Sequence, residues 1–302
     1  MYPLGDGSQW DDKELRYSLR ALERNLKGVR RIVVVGKKPD WLKNVLHIPH
    51  GDPLQSNADG NITLKTLAAC RHKDVTDDFL FINDDHMITR PMHVESIPDY
   101  YKQDFEEYES QYWNNSLHRL RVYYTWQALK KAGYSTINFD LHVPNLINAE
   151  RYIDAVNRFP FDKGIGLCPK TLYGNLAVSW DTMKQMDDPT IFNRMKLGRI
   201  REQFETLPHV AYNDQGLNAA LKYYLHETYP EKSSFEKYDL DPDPEVEVMK
   251  FLTKRNPDYW EGANLYMKYG RNKNIKKLLS KGETKTTREK MLWKLELLTQ
   301  TW

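Results

Sequence analysis

The chain has 302 residues, 40% of them hydrophobic and 28% charged, and a formal net charge of +2, which is typical of a soluble protein with one large domain or a domain and a small appendage. No run of about 18 apolar residues is present to cross a membrane, and residues 1–6 lack the ordered basic, apolar and cleavage regions of a signal peptide. Two cysteines, Cys70 and Cys168, exclude a disulfide framework or a cysteine-based metal site and favour a reducing, cytoplasmic location.

The first ninety residues alternate between predicted helices and strands. A helix begins near Trp10, where leucines recur at helical spacing, and it ends at Gly28. Residues 31–36 form a continuous β-branched run typical of a strand buried on both faces, and residues 79–82 are similarly apolar. A further helix is predicted at 61–72, and short strands are predicted at 2–4 and 46–49. This alternation predicts an α/β fold with a mostly parallel sheet flanked by helices.

Helices predominate in the predictions for the rest of the chain. They are expected at 114–132, 146–158 and 181–205. Residues 239–244 form the clearest linker, because two prolines forbid a helix and the carboxylates repel one another. This linker is predicted to separate a large first domain at 1–238 from a basic helical domain at 245–302. In the second domain, helices are expected at 245–254, 257–269, 272–280 and 285–300.

Positive charge is concentrated at the C-terminal end. Residues 250–302 carry 13 lysines and arginines against 5 aspartates and glutamates. A basic segment on an acidic body indicates an anionic partner such as nucleic acid, lipid phosphate or a polyanionic glycan; a solvated helical face is the alternative. The candidate anion- or acceptor-binding residues are Lys268, Arg271, Lys273, Lys276 and Lys277.

Two adjacent aspartates end the second buried strand. Asp84 and Asp85 follow Asn83, directly after residues 79–82. Ligands of open α/β sheets bind beyond the carboxyl ends of the strands, and neighbouring carboxylates are costly to hold together without a cation. Mg²⁺ and Mn²⁺ prefer a few carboxylates plus phosphate oxygens. The pattern therefore predicts a divalent metal bound with a nucleotide diphosphate, with two turn aspartates as the alternative.

The loop after the first predicted strand contains small and polar residues, namely Asp6, Gly7 and Ser8. A glycine flanked in this way can contact a phosphate or a uridine edge, although Asp-Gly is also a common turn. In the following helix, Arg16 and Arg20 lie one turn apart. They either neutralise a diphosphate or pair with Glu23 on the helix surface.

Two later segments contain candidates for acid–base chemistry. His142 lies between apolar residues just before Pro144, on a segment expected to be extended; it is a general base, a metal ligand or a core histidine. Asn213 and Asp214 follow another apolar run. Glycine-rich dinucleotide, phosphate-loop, Cys-x-x-Cys and His-Glu-x-x-His motifs do not occur, and the missing phosphate loop argues against an ATPase.

In chain order, these segments resemble the Stealth family of sugar-phosphate transferases. That family includes bacterial capsular-polysaccharide phosphotransferases and the catalytic subunit of the lysosomal-enzyme GlcNAc-1-phosphotransferase. The resemblance rests on four blocks, which are residues 6–8, residues 14–85, residues 142–144, and Asn213-Asp214 with residues 229–237. Its most specific parts are Glu14-Leu15-Arg16-Tyr17-Ser18-Leu19-Arg20 and Phe81-Ile82-Asn83-Asp84-Asp85. The first two blocks are nearly fused here, and His86 stands where family members often carry an apolar residue.

The resemblance implies a glycosyltransferase-A-like core that uses Mn²⁺ or Mg²⁺ and moves a sugar-1-phosphate from a nucleotide sugar to a hydroxyl. It implies a metal on Asp84 and Asp85, and catalytic roles for His142, Asp85 and Asp214. The donor, with a UDP-sugar favoured, would contact Asp6, Gly7, Ser8, Arg16, Asn83, Asp84 and Asn213. A polysaccharide is the expected acceptor.

Three alternatives stay open at this point. The chain could keep the site and perform ordinary glycosyl transfer. It could glycosylate hydroxyl-bearing modified bases in DNA, with the basic C-terminal segment binding the nucleic acid. In a different class, it could be a non-catalytic binding module that retains the fold.

Overall fold

The computed structural model describes residues 1–107 and 116–255. The three helices predicted beyond residue 256 and the basic residues Lys268, Arg271, Lys273, Lys276 and Lys277 lie outside the described residues.

The chain forms two compact units, which are considered separately. Unit 1 comprises residues 1–190, 207–213 and 231–238. Unit 2 takes residues 191–206 and 214–230 and, among the described residues, 239–255. This division differs from the predicted domains at 1–238 and 245–302, because two segments of unit 2 come from inside the predicted first domain.

Unit 1 contains the helices α1 (Lys13–Asn25), α2 (Ala58–Cys70), α3 (Leu117–Lys131), α4 (Ala149–Asn157) and α5 (Pro169–Ala177). Its strands are β1 (Tyr2–Leu4), β2 (Leu26–Lys27), β3 (Val33–Gly36), β4 (Leu46–Ile48), β5 (Asp78–Phe81), β6 (His86–Ile88), β7 (Met92–His93), β8 (Asp99–Tyr101), β9 (Asn145–Asn148) and β10 (Met183–Gln185). The short β11 (Thr190–Ile191) lies at the unit boundary, and β12 (His209–Tyr212) belongs to unit 1. Unit 2 contains α6 (Leu197–Thr206), α7 (Ala219–Thr228) and α8 (Pro244–Arg255).

The central strands of unit 1 run mostly parallel. Strand β3 pairs in parallel with both β1 and β4. Met1 joins β5 to this group, because its amino group donates to Leu80 O (2.6 Å) and its carbonyl accepts from Ile82 N (3.0 Å), the pattern of parallel strands. Strand β9 pairs antiparallel with β5. The predicted mixed α/β fold with mostly parallel strands is confirmed, including the short first strand, and the carboxyl ends of β1, β3 and β5 lie at the same edge.

Alternate residues of the central strands enter two different cores. Val34 and Ile82 pack with Leu15 and Leu19 of α1 on one face. Val33, Val35 and Phe81 pack on the other face with residues of α2 and α4, including Leu67 and Tyr152. Each such fully buried aliphatic or aromatic side chain contributes about 1.5–3 kcal/mol through the hydrophobic effect. This three-layer packing explains why the strands are continuously apolar in sequence.

Two predicted helices were partly wrong. Residues 145–148 form β9 rather than the start of a helix, because they pair with β5, and Asn148 then caps α4 by accepting from Arg151 N–H (3.1 Å). In the predicted helix at 181–205, only the part from Leu197 onward is α-helical. Strand β10 pairs instead with β8, and Pro189 prevents a helix from continuing through this segment.

Unit 2 is helical in the part that the structure describes. Helix α7 packs against both α6 and α8. Asn218 caps α7 by accepting from Leu221 N–H (3.0 Å), and Lys222 forms an ion pair with Glu245 of α8 (3.0 Å). Pro244 begins α8, so the predicted linker leads directly into a helix.

Across residues 1–107 and 116–255, no helix has the length and apolar character needed to cross a membrane.

Candidate functional site

The aspartate pair lies at the carboxyl edge of the central strands of unit 1. Residues 82–85 connect β5, which pairs with β9, to β6, which pairs with β12, so Asp84 and Asp85 lie in a short connection between two strands. The Asp85 side chain keeps 24% exposure, yet its Oδ1 atom is buried without a hydrogen bond and lies 3.6 Å from Nε2 of His86. Burial, followed by the charge of Asp84, raises the pKa of Asp85 well above its usual value. A cation would offset this unfavourable charge.

Glu14 brings a third carboxyl group to the aspartate pair, and the sequence analysis assigned it no role. It is buried at the start of α1 and accepts a hydrogen bond from Ser8 Oγ (2.8 Å). Burial raises the pKa of Glu14 to about 6, and the charge of Asp84 acts in the same direction. In sequence, Glu14 begins one of the most specific parts of the family resemblance, but the helix dipole also explains a glutamate in the first turn of a helix, so the sequence did not indicate its role beside the aspartates.

The hydroxyl of Tyr212 is buried beside the same carboxyl groups. It has no hydrogen-bond partner among the described residues. Burial raises the pKa of Tyr212 well above its usual value, and the charges of Glu14, Asp85 and Asp84 raise it further. The tyrosine is therefore a neutral hydrogen-bond donor next to the carboxylates at any physiological pH.

His142 lies in a bend immediately before β9 rather than in the predicted extended segment. Its ring centroid is 6.0 Å from that of His86. Burial, followed by the charge of Lys170, lowers the pKa of His142, while Asp188 and Asp140 oppose this shift. Near pH 7 the imidazole is therefore mainly neutral and able to accept a proton.

Lys170, at the start of α5, is a second residue that the sequence analysis missed. Its ammonium group donates to Leu141 O (2.7 Å) and Val143 O (3.2 Å), the carbonyls on either side of His142. The same Nζ atom lies 5.4 Å from the ring centroid of Phe81 at the end of β5. Lys170 thus holds the histidine bend and contacts the strand that precedes the aspartate pair. In the sequence, a single lysine after Cys168-Pro169 does not indicate a position beside His142 and the end of β5.

Two further histidines are buried in neighbouring strands. His86 in β6 and His209 in β12 are each 1% exposed, and their ring nitrogens have no hydrogen-bond partner in the described part of the chain. Burial lowers the pKa of His209 to about 4 and that of His86 well below its usual value. His209 packs edge-on against Tyr100, with ring centroids 5.5 Å apart. Both imidazoles are therefore neutral around pH 7.

The loop of residues 6–8 begins at the end of β1, at the same edge of the strands. Asp6 and Gly7 are exposed, whereas Ser8 Oγ accepts from the N–H groups of Trp10 (3.1 Å) and Asp12 (2.8 Å). The serine therefore organises the turn into α1, and the loop leaves an exposed backbone for a ligand.

A close approach of β1 and β3 positions this loop. Gly36 ends β3 with φ +115°, and a Cβ atom there would lie 2.0 Å from Leu4 O. Only glycine allows this approach. Just beyond it, Lys37 forms ion pairs with Asp12 (3.2 Å) and Asp6 (3.7 Å).

Arg16 lies in a buried ion-pair cluster. Its Nη1 atom donates to Glu236 Oε2 and to Tyr238 O, each at 2.9 Å. Its guanidinium group lies 4.3 Å from the ring centroid of Trp41. Arg20 binds the same glutamate rather than Glu23, so the structure differs from both predicted roles of the arginine pair.

The last predicted pair of site residues is divided between the two units. Asn213 follows β12 in unit 1 and is half-buried, whereas Asp214 is exposed and belongs to unit 2. In unit 1 the structure brings together Asp84, Asp85, Glu14, His86, His142, Lys170 and Tyr212.

Within residues 1–107 and 116–255, no three His, Cys, Asp or Glu side chains are arranged to hold a metal ion by themselves. Mg²⁺ and Mn²⁺ commonly take only one or two protein carboxylates, with substrate phosphates and water as the other ligands. The unpartnered Oδ1 atom of Asp85, next to Asp84, fits that mode of binding.

Comparison of the chain with protein-family models and with curated proteins gives no match.

Proposed function

We propose that the chain is a metal-dependent transferase of glycosyltransferase-A type that moves a sugar or sugar-1-phosphate from a nucleotide sugar to an acceptor hydroxyl. The observation that supports this most directly is the grouping in unit 1 of Asp84 and Asp85, mainly neutral His142 and the cation Lys170. A reaction on a diphosphate needs carboxylates for a divalent metal, a base for the acceptor hydroxyl and a positive charge near the phosphates, and this group contains each of them. The resemblance to the Stealth family, which rests in part on the same residues, is a second support.

The donor would bind at the carboxyl edge of the central strands. Asp84 and Asp85 would hold a divalent cation, which when bound offsets the charge of the diphosphate and of the departing nucleotide. Asn83 and the loop of residues 6–8 also follow strand ends at this edge, and they are the candidates to contact the nucleotide. Arg16 has no part in this proposal, because its guanidinium group is bound to Glu236.

His142 would act as the general base. Its lowered pKa keeps it neutral, so it can take the proton of the acceptor hydroxyl as the new bond to phosphorus or to the anomeric carbon forms. Lys170 would orient His142 through the flanking carbonyls and add positive charge beside the phosphates.

The experiment that tests this function measures nucleotide release from UDP-, GDP- and CMP-sugars with Mn²⁺ or EDTA, with all products identified by mass. The assays include a set of polysaccharide acceptors and hydroxymethylated DNA. Release of UDP indicates glycosyl transfer or hydrolysis, and release of UMP indicates sugar-phosphate transfer. Asp85→Ala should lose metal-dependent release, and Asp187→Ala, which removes an exposed aspartate, should retain it.

If no donor is consumed with any acceptor or metal, the transferase proposal fails and the binding-module alternative gains support. Full metal-dependent activity in Asp85→Ala would reject the metal assignment alone.

A further inference from the structure

Asp140 lies two residues before His142, in the segment that leads into its bend. We propose that Asp140 is a positioning residue for His142 and that His118 of α3 holds Asp140 in place. This inference rests on the proposed function, because it concerns the residue assigned as the general base.

Three separate parts of unit 1 meet at the Asp140 carboxylate. Nε2 of His118, at the start of α3, lies 3.6 Å from Asp140 Oδ2. The thiol of Cys168, just before α5, donates to the same oxygen with an Sγ–Oδ2 distance of 3.6 Å. The Asp140 side chain is 17% exposed and that of His118 is 55% exposed. The carboxylate therefore lies just inside the surface, between the bend, α3 and α5.

The backbone links the position of Asp140 to that of the His142 imidazole. Lys170 holds the carbonyls of Leu141 and Val143, so the chain on both sides of the imidazole is fixed from α5. The contacts of Asp140 with His118 and Cys168 anchor the segment that leads into the bend. A change in its contacts would therefore displace the imidazole rather than a free loop.

The charges around the bend favour an ionised Asp140 beside a basic His142. Burial alone would raise the pKa of Asp140, but His118, His142, Lys170 and the Cys168 thiol together hold it below its usual value. For His142, burial and Lys170 lower the pKa, Asp188 and Asp140 raise it, and His118 lowers it. Asp140 thus counteracts the loss of basicity that burial imposes on the imidazole.

A carboxylate in this position does two things for a histidine base. It anchors the backbone two residues before the imidazole, and its charge stabilises the imidazolium that forms when the proton is taken. His118 limits the second effect when it is protonated, because it neutralises part of the carboxylate charge. The two substitutions should therefore change the pKa of His142 in opposite directions.

The test is an NMR titration of the histidine ring signals in the full chain without substrate, with His142→Gln used to assign the His142 signal. Asp140→Asn should lower the pKa of His142 by about one unit, as expected when a close opposite charge is removed. Asp140→Glu should largely restore it, and His118→Gln should raise it. Asp154→Asn, which removes a carboxylate from an exposed ion pair with Arg158 on α4, should leave it unchanged.

An unchanged His142 pKa in Asp140→Asn, or an equal shift in Asp154→Asn, overturns the proposal. If Asp140→Asn does not fold, the exposed His118→Gln decides the question, and no upward shift in that variant overturns it. Because the titration needs no turnover, its result is independent of whether the transferase activity exists. Where activity is present, Asp140→Asn should lower kcat, leave the donor KM unchanged and move the acid limb of the pH profile to lower pH.

Discussion

Arg16 and Glu236 are 220 residues apart in sequence and form a buried ion pair, with Nη1 and Oε2 2.9 Å apart. Arg20 donates to both oxygens of the same carboxylate, and the N–H and hydroxyl of Ser233 donate to Oε1. Every charge in this cluster is therefore hydrogen-bonded, which a buried ion pair requires. The cluster fixes residues 231–238 of unit 1 on α1, the helix that begins next to the aspartate pair.

Glu236→Gln should strongly destabilise the protein. The substitution leaves two buried guanidinium groups without their carboxylate, and breaking a buried pair in this way costs about 3–5 kcal/mol. Urea unfolding followed by circular dichroism measures the free energy of unfolding. Glu231→Gln, at an exposed position of the same segment, should change it by less than about 0.5 kcal/mol. Equal stability of Glu236→Gln and the parent would show that the ion pair contributes nothing net.

Acid should destabilise the protein through His209. Its pKa falls from 6.5 in the unfolded chain to about 4 in the folded chain, so the unfolded chain binds more protons between these values. Stability is therefore complete above pH 6.5 and is lost as the pH falls towards 4, by roughly 3 kcal/mol in total. Glu14 acts in the opposite direction, because its pKa is raised.

The contribution of His209 is isolated by comparing the parent with His209→Gln. Urea unfolding at pH 7.5 and pH 5 should show a smaller loss of stability in the variant. The same loss in both proteins would mean that His209 does not become protonated on unfolding in this range.

Asp85→Asn should reduce activity without reducing stability. Burial and Asp84 raise the pKa of Asp85, so the neutral amide should leave the free energy of unfolding at neutral pH unchanged or increase it. Metal-dependent donor turnover should fall by roughly 100-fold or more, the usual effect of removing one group that stabilises developing charge. Thermal unfolding and nucleotide release are the two measurements. A stable variant with normal turnover would contradict the role of Asp85.

Lys170→Met should alter the pH dependence of the reaction. The charge of Lys170 lowers the pKa of His142, so its removal should raise that pKa and move the acid limb of kcat/KM to higher pH. The carbonyls of Leu141 and Val143 also lose their donor, so kcat should fall at every pH. Lys163→Met, at an exposed position in the segment between α4 and α5, is the control. An unchanged acid limb in Lys170→Met would reject the link between the lysine and His142.

Much of the fold could be predicted because the sequence patterns that indicate its strands and helices are local. The β-branched run that forms β3 and the apolar run that ends at Asn83 are recognisable without knowing their neighbours. The predictions failed where pairing decided the structure. Residues 145–148 have no strong local preference and become a strand because β5 offers an unpaired edge.

From sequence alone, the alternation of strands and helices and the position of Asp84 and Asp85 at a strand end could be derived, since both depend on residues adjacent in the chain. The tertiary structure decided which charged residues join them. Glu14, Lys170 and Glu236 have the sequence signature of solvated helix or loop residues, yet packing removes them from water and brings them to partners far along the chain. Burial is a property of the folded chain as a whole, so no local pattern encodes it.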